Sequence, residues 1–221
     1  MPSPIFGREL RELSKQLDLA LPDSALVAEA LDCARSLSAP WLFNHVARSW
    51  LFAALLARRR GHAPDPELLA VSCLLHDVGL TSHFDGRARF EVHGANFARD
   101  WAGRRGVGGD GLRQVWDAIA LHTTGSIAMH KEDVVRYCHL GIGVDYGGWG
   151  WRELAPEGDR VLSALPRLGM KRALTTCLCG IAQRFPQTAA DNFLGDYGRR
   201  FVDGFAAPSS VDMMLDAPFP E

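Results

Sequence analysis

The residues of this chain best suited to act together chemically are four histidines and two aspartates in apolar surroundings. In chain order they are His45, His76, Asp77, His93, His122 and Asp145. Between the successive segments that carry them, the intervals are 31, 16, 29 and 23 residues. Their apolar neighbours indicate that the side chains point inward, where a donor or charge without a partner is costly to desolvate. One or two cations bound among them would satisfy all six, so the pattern predicts a buried metal site.

The elements that must position these side chains are predicted to be helices. Apolar residues recur with the helical period, and strand-like alternation is nearly absent. Gly61 suits a helix end, and Asp65 followed by Pro66 is typical of a helix start. The predicted helices span residues 24–37, 42–60, 65–79, 90–104, 110–123, 133–147, 159–168, 170–185 and 188–206.

The architecture predicted from these segments is an all-α, single-domain helical bundle over residues 1–221. Its metal-site core lies in about 40–150, and helices over 155–206 complete the bundle and the pocket. The tail from 207 to 221 is expected to be extended or frayed. Helical bundles build metal sites from inward side chains on facing helices, which fits the placement of the histidines and aspartates.

Composition excludes several classes of function. Lys and Arg number 24 against 26 Asp and Glu, and the net charge of -2 leaves no global field for nucleic acid or an anionic membrane. The longest apolar run, over 51–57, falls far short of the ~20 residues of a membrane span. Five cysteines without a C-x-x-C pair fit a reducing compartment. We therefore expect a cytoplasmic protein with a small-molecule substrate and no nucleic-acid or membrane partner; whether it forms a homo-oligomer is left open.

Five phrases of the sequence carry a resemblance to a known family. They are FNHVARSW, LLHDVGLT, RFEVHGA, WDAIALHTT and GIGVDYGG. The His-Asp dipeptide alone is common, but the ordered set of five motifs is specific. Over roughly residues 40–150 the chain resembles the HD-domain superfamily of metal-dependent phosphohydrolases, and it is most similar to the cyanamide-hydratase-like branch.

The resemblance implies a ligand set and a cofactor. If the chain follows the superfamily, the principal metal is held by His45, His76, Asp77 and Asp145. These mixed nitrogen and oxygen donors suit a divalent transition metal, with Zn first and Fe or Mn as alternatives, rather than Ca or Mg. Four protein ligands leave room for water only if the metal is five- or six-coordinate.

His93 is where this sequence departs from the branch, whose F-E-x-x-G pattern residues 90–94 otherwise match. The dinuclear members of the superfamily carry two further histidines after the His-Asp pair. His93 and His122 are candidates for that pair of histidines. The resemblance therefore leaves open one or two ions, bridged in the second case by Asp77.

The resemblance favours hydration of a cyanamide or nitrile C≡N group by a metal-activated hydroxide. His122 or His93 would protonate the developing nitrogen anion, and Glu91 is either a further group for proton handling or a solvated helix residue. One divalent ion with Asp77 and Asp145 is formally neutral, which suits a neutral electrophile. Two ions leave two positive charges, which favours a phosphate ester.

Other functions remain open beside hydration. The first alternative is a phosphohydrolase acting on a nucleotide or other phosphomonoester, for which Arg48, one turn after His45, is the cation clearly placed. The second is a di-iron HD-type oxygenase, and a non-enzymatic metal-binding module is the last. No GYP motif follows the His-Asp pair, which disfavours a cyclic-di-GMP phosphodiesterase.

Several residues near the motifs are interpreted mainly as structural. His83 is predicted to be a loop residue near the pocket mouth, and His139 to be a packing residue. Trp149 and Trp151 follow Asp145 among glycines, and they either pack in the core or line a pocket. No motif is present beyond residue 150, and that part is expected to shape the pocket and set its specificity.

Overall fold

The regular structure of the chain is helical, as the sequence predicts. The computed structural model describes residues 4–81 and 86–219, and strands are absent from those ranges. The α-helices there are, in chain order, α1 (Pro4–Gln16), α2 (Ala25–Leu37), α3 (Pro40–Arg59), α4 (Pro66–Leu75), α5 (Phe90–Gly103), α6 (Gly109–Ala120), α7 (Gly125–Ala128), α8 (Asp133–Gly147), α9 (Trp151–Ala164), α10 (Met170–Arg184), α11 (Leu194–Phe201) and α12 (Ser210–Leu215). Short 3-10 helices cover Val78–Leu80 and Pro186–Ala189. The predicted all-α fold class is confirmed.

The crossing of α3 and α8 is the most extensive helix-helix contact in the described part of the chain. α3 begins with Pro40 in its first turn and is buried along most of its 20 residues. Where the two helices cross, a Cβ on Gly141 would clash with the backbone oxygen of Ser49, so glycine permits the close approach. His45 lies one turn before Ser49, and Asp145 lies one turn after Gly141. The crossing therefore brings these two side chains together.

The His-Asp doublet lies where α4 ends. The helix ends at Leu75, four residues before the predicted end, and a 3-10 turn follows. The physical reason is Gly79, where a Cβ would clash with the backbone oxygen of Phe90. The chain turns so that Gly79 can lie directly against the start of α5. His76 and Asp77 therefore occupy the turn itself, and both are buried.

The observed helix boundaries differ from the predicted ones mainly after residue 150. α9 begins at Trp151, eight residues before the predicted start at 159, and holds Pro156 in its interior. Burial of one face, which includes Val161, outweighs the hydrogen bond that this proline cannot donate. α11 is shorter than the predicted helix over 188–206, because the chain is extended at Ala190. The helices α1, α7 and α12 are not indicated by the sequence pattern, and α12 lies in the tail expected to be extended or frayed.

Apolar side chains form two clusters. The larger cluster packs α3, α4, α6 and α8 together. The smaller one joins residues of α10 and α11 to Leu42, Leu80 and Phe90, so the C-terminal helices pack against the segments that flank the His-Asp doublet. Across residues 4–81 and 86–219, no helix combines the length and the apolar character that crossing a lipid bilayer requires.

A pair of glycine-to-alanine variants tests the α3–α8 crossing. Gly141→Ala places a Cβ against the backbone of α3, so we expect it to lower the free energy of unfolding by about 1–3 kcal/mol. Gly180→Ala in α10 is the matched control, because a Cβ there meets nothing within 4 Å and alanine favours the helix by up to ~1 kcal/mol. Urea unfolding followed by circular dichroism measures both changes. Equal effects of the two variants would contradict the close approach.

Candidate metal centre

His45 and His76 present unprotonated ring nitrogens to each other. Nδ1 of His45 donates to Oδ2 of Asp145 over 2.6 Å, and Nδ1 of His76 donates to the backbone oxygen of Cys73 over 2.8 Å. Because a carboxylate and a carbonyl only accept hydrogen bonds, both Nδ1 atoms carry the proton, and each neutral ring keeps a lone pair on Nε2. The two Nε2 atoms lie 3.2 Å apart, and both side chains are buried. Two lone pairs at this distance repel each other unless a cation or a proton lies between them.

Asp77 completes the group. Its Oδ2 lies 3.3 Å from Nε2 of His76 and 3.5 Å from Nε2 of His45. One ligand atom from each of the three buried residues lies within 4.8 Å of the others. Two imidazole nitrogens and a carboxylate oxygen are a donor set that fits a divalent transition metal, and a buried carboxylate itself calls for a cation. His45, His76 and Asp77 are therefore the residues that could hold a metal ion.

His122 follows the end of α6 and faces the second oxygen of Asp77. Its Nδ1 donates to the backbone oxygen of Ile119 over 2.6 Å, which leaves the lone pair on Nε2, and Nε2 lies 3.6 Å from Oδ1 of Asp77. Burial, together with the neighbouring His76, lowers the pKa of His122 to about 4. The ring is therefore neutral near pH 7. Its Nε2 can accept a proton or serve as a further metal ligand.

The charge states of the group suit metal binding. Although burial alone raises the pKa of Asp77, the adjacent His76, His45 and His122 hold that pKa well below its usual range. Burial lowers the pKa of His45, which favours the neutral imidazole that binds metals. Although burial alone lowers the pKa of His76, the adjacent Asp77 raises it above its usual value. The site therefore combines one ionised carboxylate with neutral rings on His45 and His122, and a metal ion would displace any proton held on Nε2 of His76.

Asp145 is placed differently from the ligand set that the resemblance implies. Its carboxylate lies on the Nδ1 side of His45 and accepts hydrogen bonds of 2.7 and 2.8 Å from Arg48, while Nη1 of Arg167 lies 3.1 Å away. Although burial alone raises the pKa of Asp145, the bonds from Arg48 and His45 hold it well below its usual range. Asp145 thus fixes the tautomer and orientation of His45, as carboxylates behind metal-binding histidines do.

Arg48 is fully buried, and the protein interior uses all of its donors. Nε and Nη2 bond Asp145, Nη1 donates to the backbone oxygens of Leu165 and Pro166 over 2.9 and 3.2 Å, and Nη2 lies 3.3 Å from the sulfur of Met170. The expectation that Arg48 meets a phosphate or acts in catalysis stays a prediction, since these bonds direct its donors to Asp145 and to the protein interior. Its guanidinium neutralises Asp145 and ties α3 to α8 and to the segment before α10.

A cavity of about 260 Å³ opens onto the candidate metal group. Its walls are the histidines of the group and mostly apolar side chains. The described residues that line it are His45, His76, Asp77, Leu80, Phe90, His122, Thr123, His139, Ile142, Gly143, Tyr146, Trp149, Leu174, Leu178, Phe193 and Asp196. Among these lining residues there is no lysine and no arginine. The volume lies just below the ~300–1,000 Å³ typical of small-molecule sites.

The two predicted residues of α5 are placed differently from the ligand group. His93 is half-buried, and it is not among the described residues that line the cavity or that form the group of His45, His76 and Asp77. Its pairing with His122 at a second metal stays a prediction. Glu91 is buried rather than solvated, and it accepts hydrogen bonds from Thr123 over 2.6 Å and from Arg89 over 2.7 Å. His83 lies outside the described residues.

Sequence reasoning missed the α8 wall of the cavity. His139, interpreted as a packing residue, lines the cavity and donates from Nδ1 to the backbone oxygen of His122 over 2.7 Å. Ile142 and Tyr146 follow His139 at intervals of three and four residues, which place all three on one side of α8. This helical spacing is the sequence signal from which the cavity wall on α8 could have been predicted. Of the two tryptophans expected either to line a pocket or to pack in the core, Trp149 lines the cavity. Trp151 instead packs edge-on against Phe52, with 6.1 Å between the ring centres.

These observations define a class of protein. The sequence profile of the HD domain matches residues 42–163, more than half of the chain, so the chain belongs to the HD-domain family. Members of this family are mostly metal-dependent hydrolases, and the buried group of His45, His76 and Asp77 fits that class. No curated protein sequence matches the chain.

Measurement of the metal content tests whether zinc binding requires the ligand group but not His93. We expect the wild-type chain to retain one zinc ion after dialysis against excess zinc and then metal-free buffer, and His76→Ala to retain less than a tenth of an ion per chain. His93→Ala is the matched control on the neighbouring helix and should retain the full amount. Mass spectrometry of the metal content measures this, with circular dichroism to verify folding. Loss of zinc in His93→Ala, or its retention in His76→Ala, would refute the ligand group.

The ion pair between Asp145 and Arg48 is expected to stabilise the fold strongly. Asp145→Asn leaves the buried guanidinium without a counter-charge, so the free energy of unfolding should fall by about 3–5 kcal/mol. Asp196→Asn, which disrupts an exposed pair with Arg199, serves as the control and should change it little. Urea unfolding at pH 7 measures both variants. A small change in the free energy of unfolding of Asp145→Asn would show that this ion pair does not hold α3 and α8 together.

Proposed function

We propose that this chain is a metal-dependent enzyme that adds water to the C≡N group of a small neutral substrate of the cyanamide or nitrile type. The observation that carries the proposal is the cavity wall, in which no described lining residue is a lysine or an arginine. A phosphomonoester brings two negative charges that need cationic partners. A neutral electrophile needs none, and the cavity volume limits it to a small molecule.

The charge of the site also favours a neutral substrate, although the count of charges differs from the one made from the sequence. Because Arg48 neutralises Asp145, Asp77 alone offsets the metal charge. One divalent ion with Asp77 leaves a single positive charge on the ion and its carboxylate ligand, which attracts a phosphate dianion less strongly than two ions would.

The donor set favours one ion, with zinc as the first candidate and iron or manganese as alternatives. His45, His76 and Asp77 would hold it, and Asp145 would keep His45 in the tautomer that binds. When bound, such an ion supplies Lewis-acid chemistry that makes hydroxide available at neutral pH. The donor atoms that lie within 4.8 Å of one another belong to His45, His76 and Asp77 alone among the described residues, so the proposal is for a mononuclear site.

His122 is the residue proposed to move the proton. Its Nδ1 is bonded to a backbone carbonyl, so Nε2 presents a lone pair beside Asp77 and at the cavity wall. The ring takes a proton from the attacking water and returns it to the substrate nitrogen. The water oxygen bonds to the nitrile carbon and one π bond of C≡N breaks, which gives an imidic acid with one proton on nitrogen. Transfer of its O–H proton to nitrogen then replaces the second C–N π bond with a C=O bond, so both water protons finish on nitrogen. Cyanamide would give urea, a nitrile would give an amide, and no group leaves.

A substrate comparison tests the proposed function. Zinc-loaded protein incubated with cyanamide should release urea, and incubation with p-nitrophenyl phosphate or a nucleoside monophosphate should release no phosphate. His122→Gln should lower kcat by at least about 100-fold with the zinc content unchanged. His130→Gln, an exposed histidine, is the control and should keep full activity. Phosphate release without urea would replace this proposal with the phosphohydrolase alternative, and an oxygen requirement would replace it with the oxygenase.

A further inference from the structure

The cavity is larger than the smallest substrate of the proposed reaction requires. At the ~30 Å³ that a water molecule occupies in the liquid, the three heavy atoms of cyanamide fill roughly a third of the 260 Å³. The remainder leaves room for a substituent on the substrate beside the attacking water. Empty apolar space beside a reacting group gives no binding energy, so its occupant is expected to be part of the substrate.

Aromatic rings line a path from the metal group to the surface. The Phe90 ring lies edge-on to His122 at 5.8 Å between ring centres and to Phe193 at 5.9 Å. Phe193 in turn lies edge-on to Tyr146 at 6.5 Å, and Tyr146 is 41% exposed. The path therefore begins at a proton-handling histidine and ends in solvent, with apolar ring faces and edges along it.

Part of the cavity wall comes from the C-terminal part of the chain. Leu174 and Leu178 on α10 line the cavity, as does Phe193 just before α11. All three follow residue 163, where the match to the HD domain ends. This wall is therefore a property of the chain outside the matched domain, added to a metal group that lies inside it.

Resting on the proposed function, we propose that the substrate carries an apolar substituent, such as a phenyl or branched alkyl group, next to its C≡N group. Leu174, Leu178 and Phe193 are the residues that select this substituent. Polar atoms of the substituent would lose their hydrogen bonds to water against these side chains, so a polar or charged group of the same size is rejected.

Binding of the reaction products tests this inference without turnover. Phenylurea and urea are the products that phenylcyanamide and cyanamide would give, and isothermal titration of the zinc-loaded full chain measures both. Phenylurea should bind at least tenfold more tightly than urea. Leu174→Ala should weaken phenylurea binding roughly tenfold, and Leu174→Phe, which fills the space, should abolish it.

Ile181→Ala is the matched control for Leu174→Ala. Ile181 lies two turns further along α10 in the same buried cluster, and it is not among the described lining residues. Its variant should lose stability and keep its phenylurea affinity within twofold. Equal affinities for phenylurea and urea, or equal effects of the two alanine variants, would overturn the inference. Tight phenylurea binding without hydration of either cyanamide or phenylcyanamide would refute the hydratase proposal alone. Hydration of both compounds without tighter binding of phenylurea than of urea would refute the preference for an apolar substituent alone.

Discussion

The approach of two bare imidazole nitrogens is the interaction on which the site depends. Nε2 of His45 and Nε2 of His76 lie 3.2 Å apart, and a buried carboxylate oxygen of Asp77 lies beside both. Since each Nδ1 donates to an acceptor-only group, neither ring can relieve the repulsion by changing its tautomer. A cation between these atoms removes the repulsion and neutralises the carboxylate. Without a metal, a proton on one Nε2 would relieve the same repulsion, so metal binding at this group competes with protonation.

The rest of the fold holds this arrangement in place. The close crossing of α3 and α8 at Gly141 brings His45 within hydrogen-bonding distance of Asp145. Arg48 fixes the position of the Asp145 carboxylate by donating two hydrogen bonds to it. The early end of α4 turns His76 and Asp77 inward. Backbone geometry and a buried ion pair therefore fix the ligand atoms before any ion binds, which reduces the conformational entropy lost on binding.

The sequence predicts the fold class and the convergence of His45, His76 and Asp77, because these depend on helical periodicity and on local motifs in order. It does not predict the role of Asp145 or Arg48, because whether a carboxylate faces Nε2 or Nδ1 of a ring depends on how two helices cross. The sequence leads us to expect that the part after residue 150 shapes the pocket, but it does not indicate which residues of α10 do so. Leu174 has no motif around it, and its place at the cavity depends on long-range packing.

Anomalous diffraction at the zinc edge, from crystals of the zinc-loaded protein, tests the central claim most directly. The geometry predicts one peak per chain at about 2.0–2.1 Å from Nε2 of both His45 and His76, and within bonding distance of an Asp77 oxygen. Asp145 should remain on Nδ1 of His45, outside bonding distance of the ion. A peak bound through Nδ1, a peak at another site, or no peak at full zinc occupancy of the solution would contradict the account.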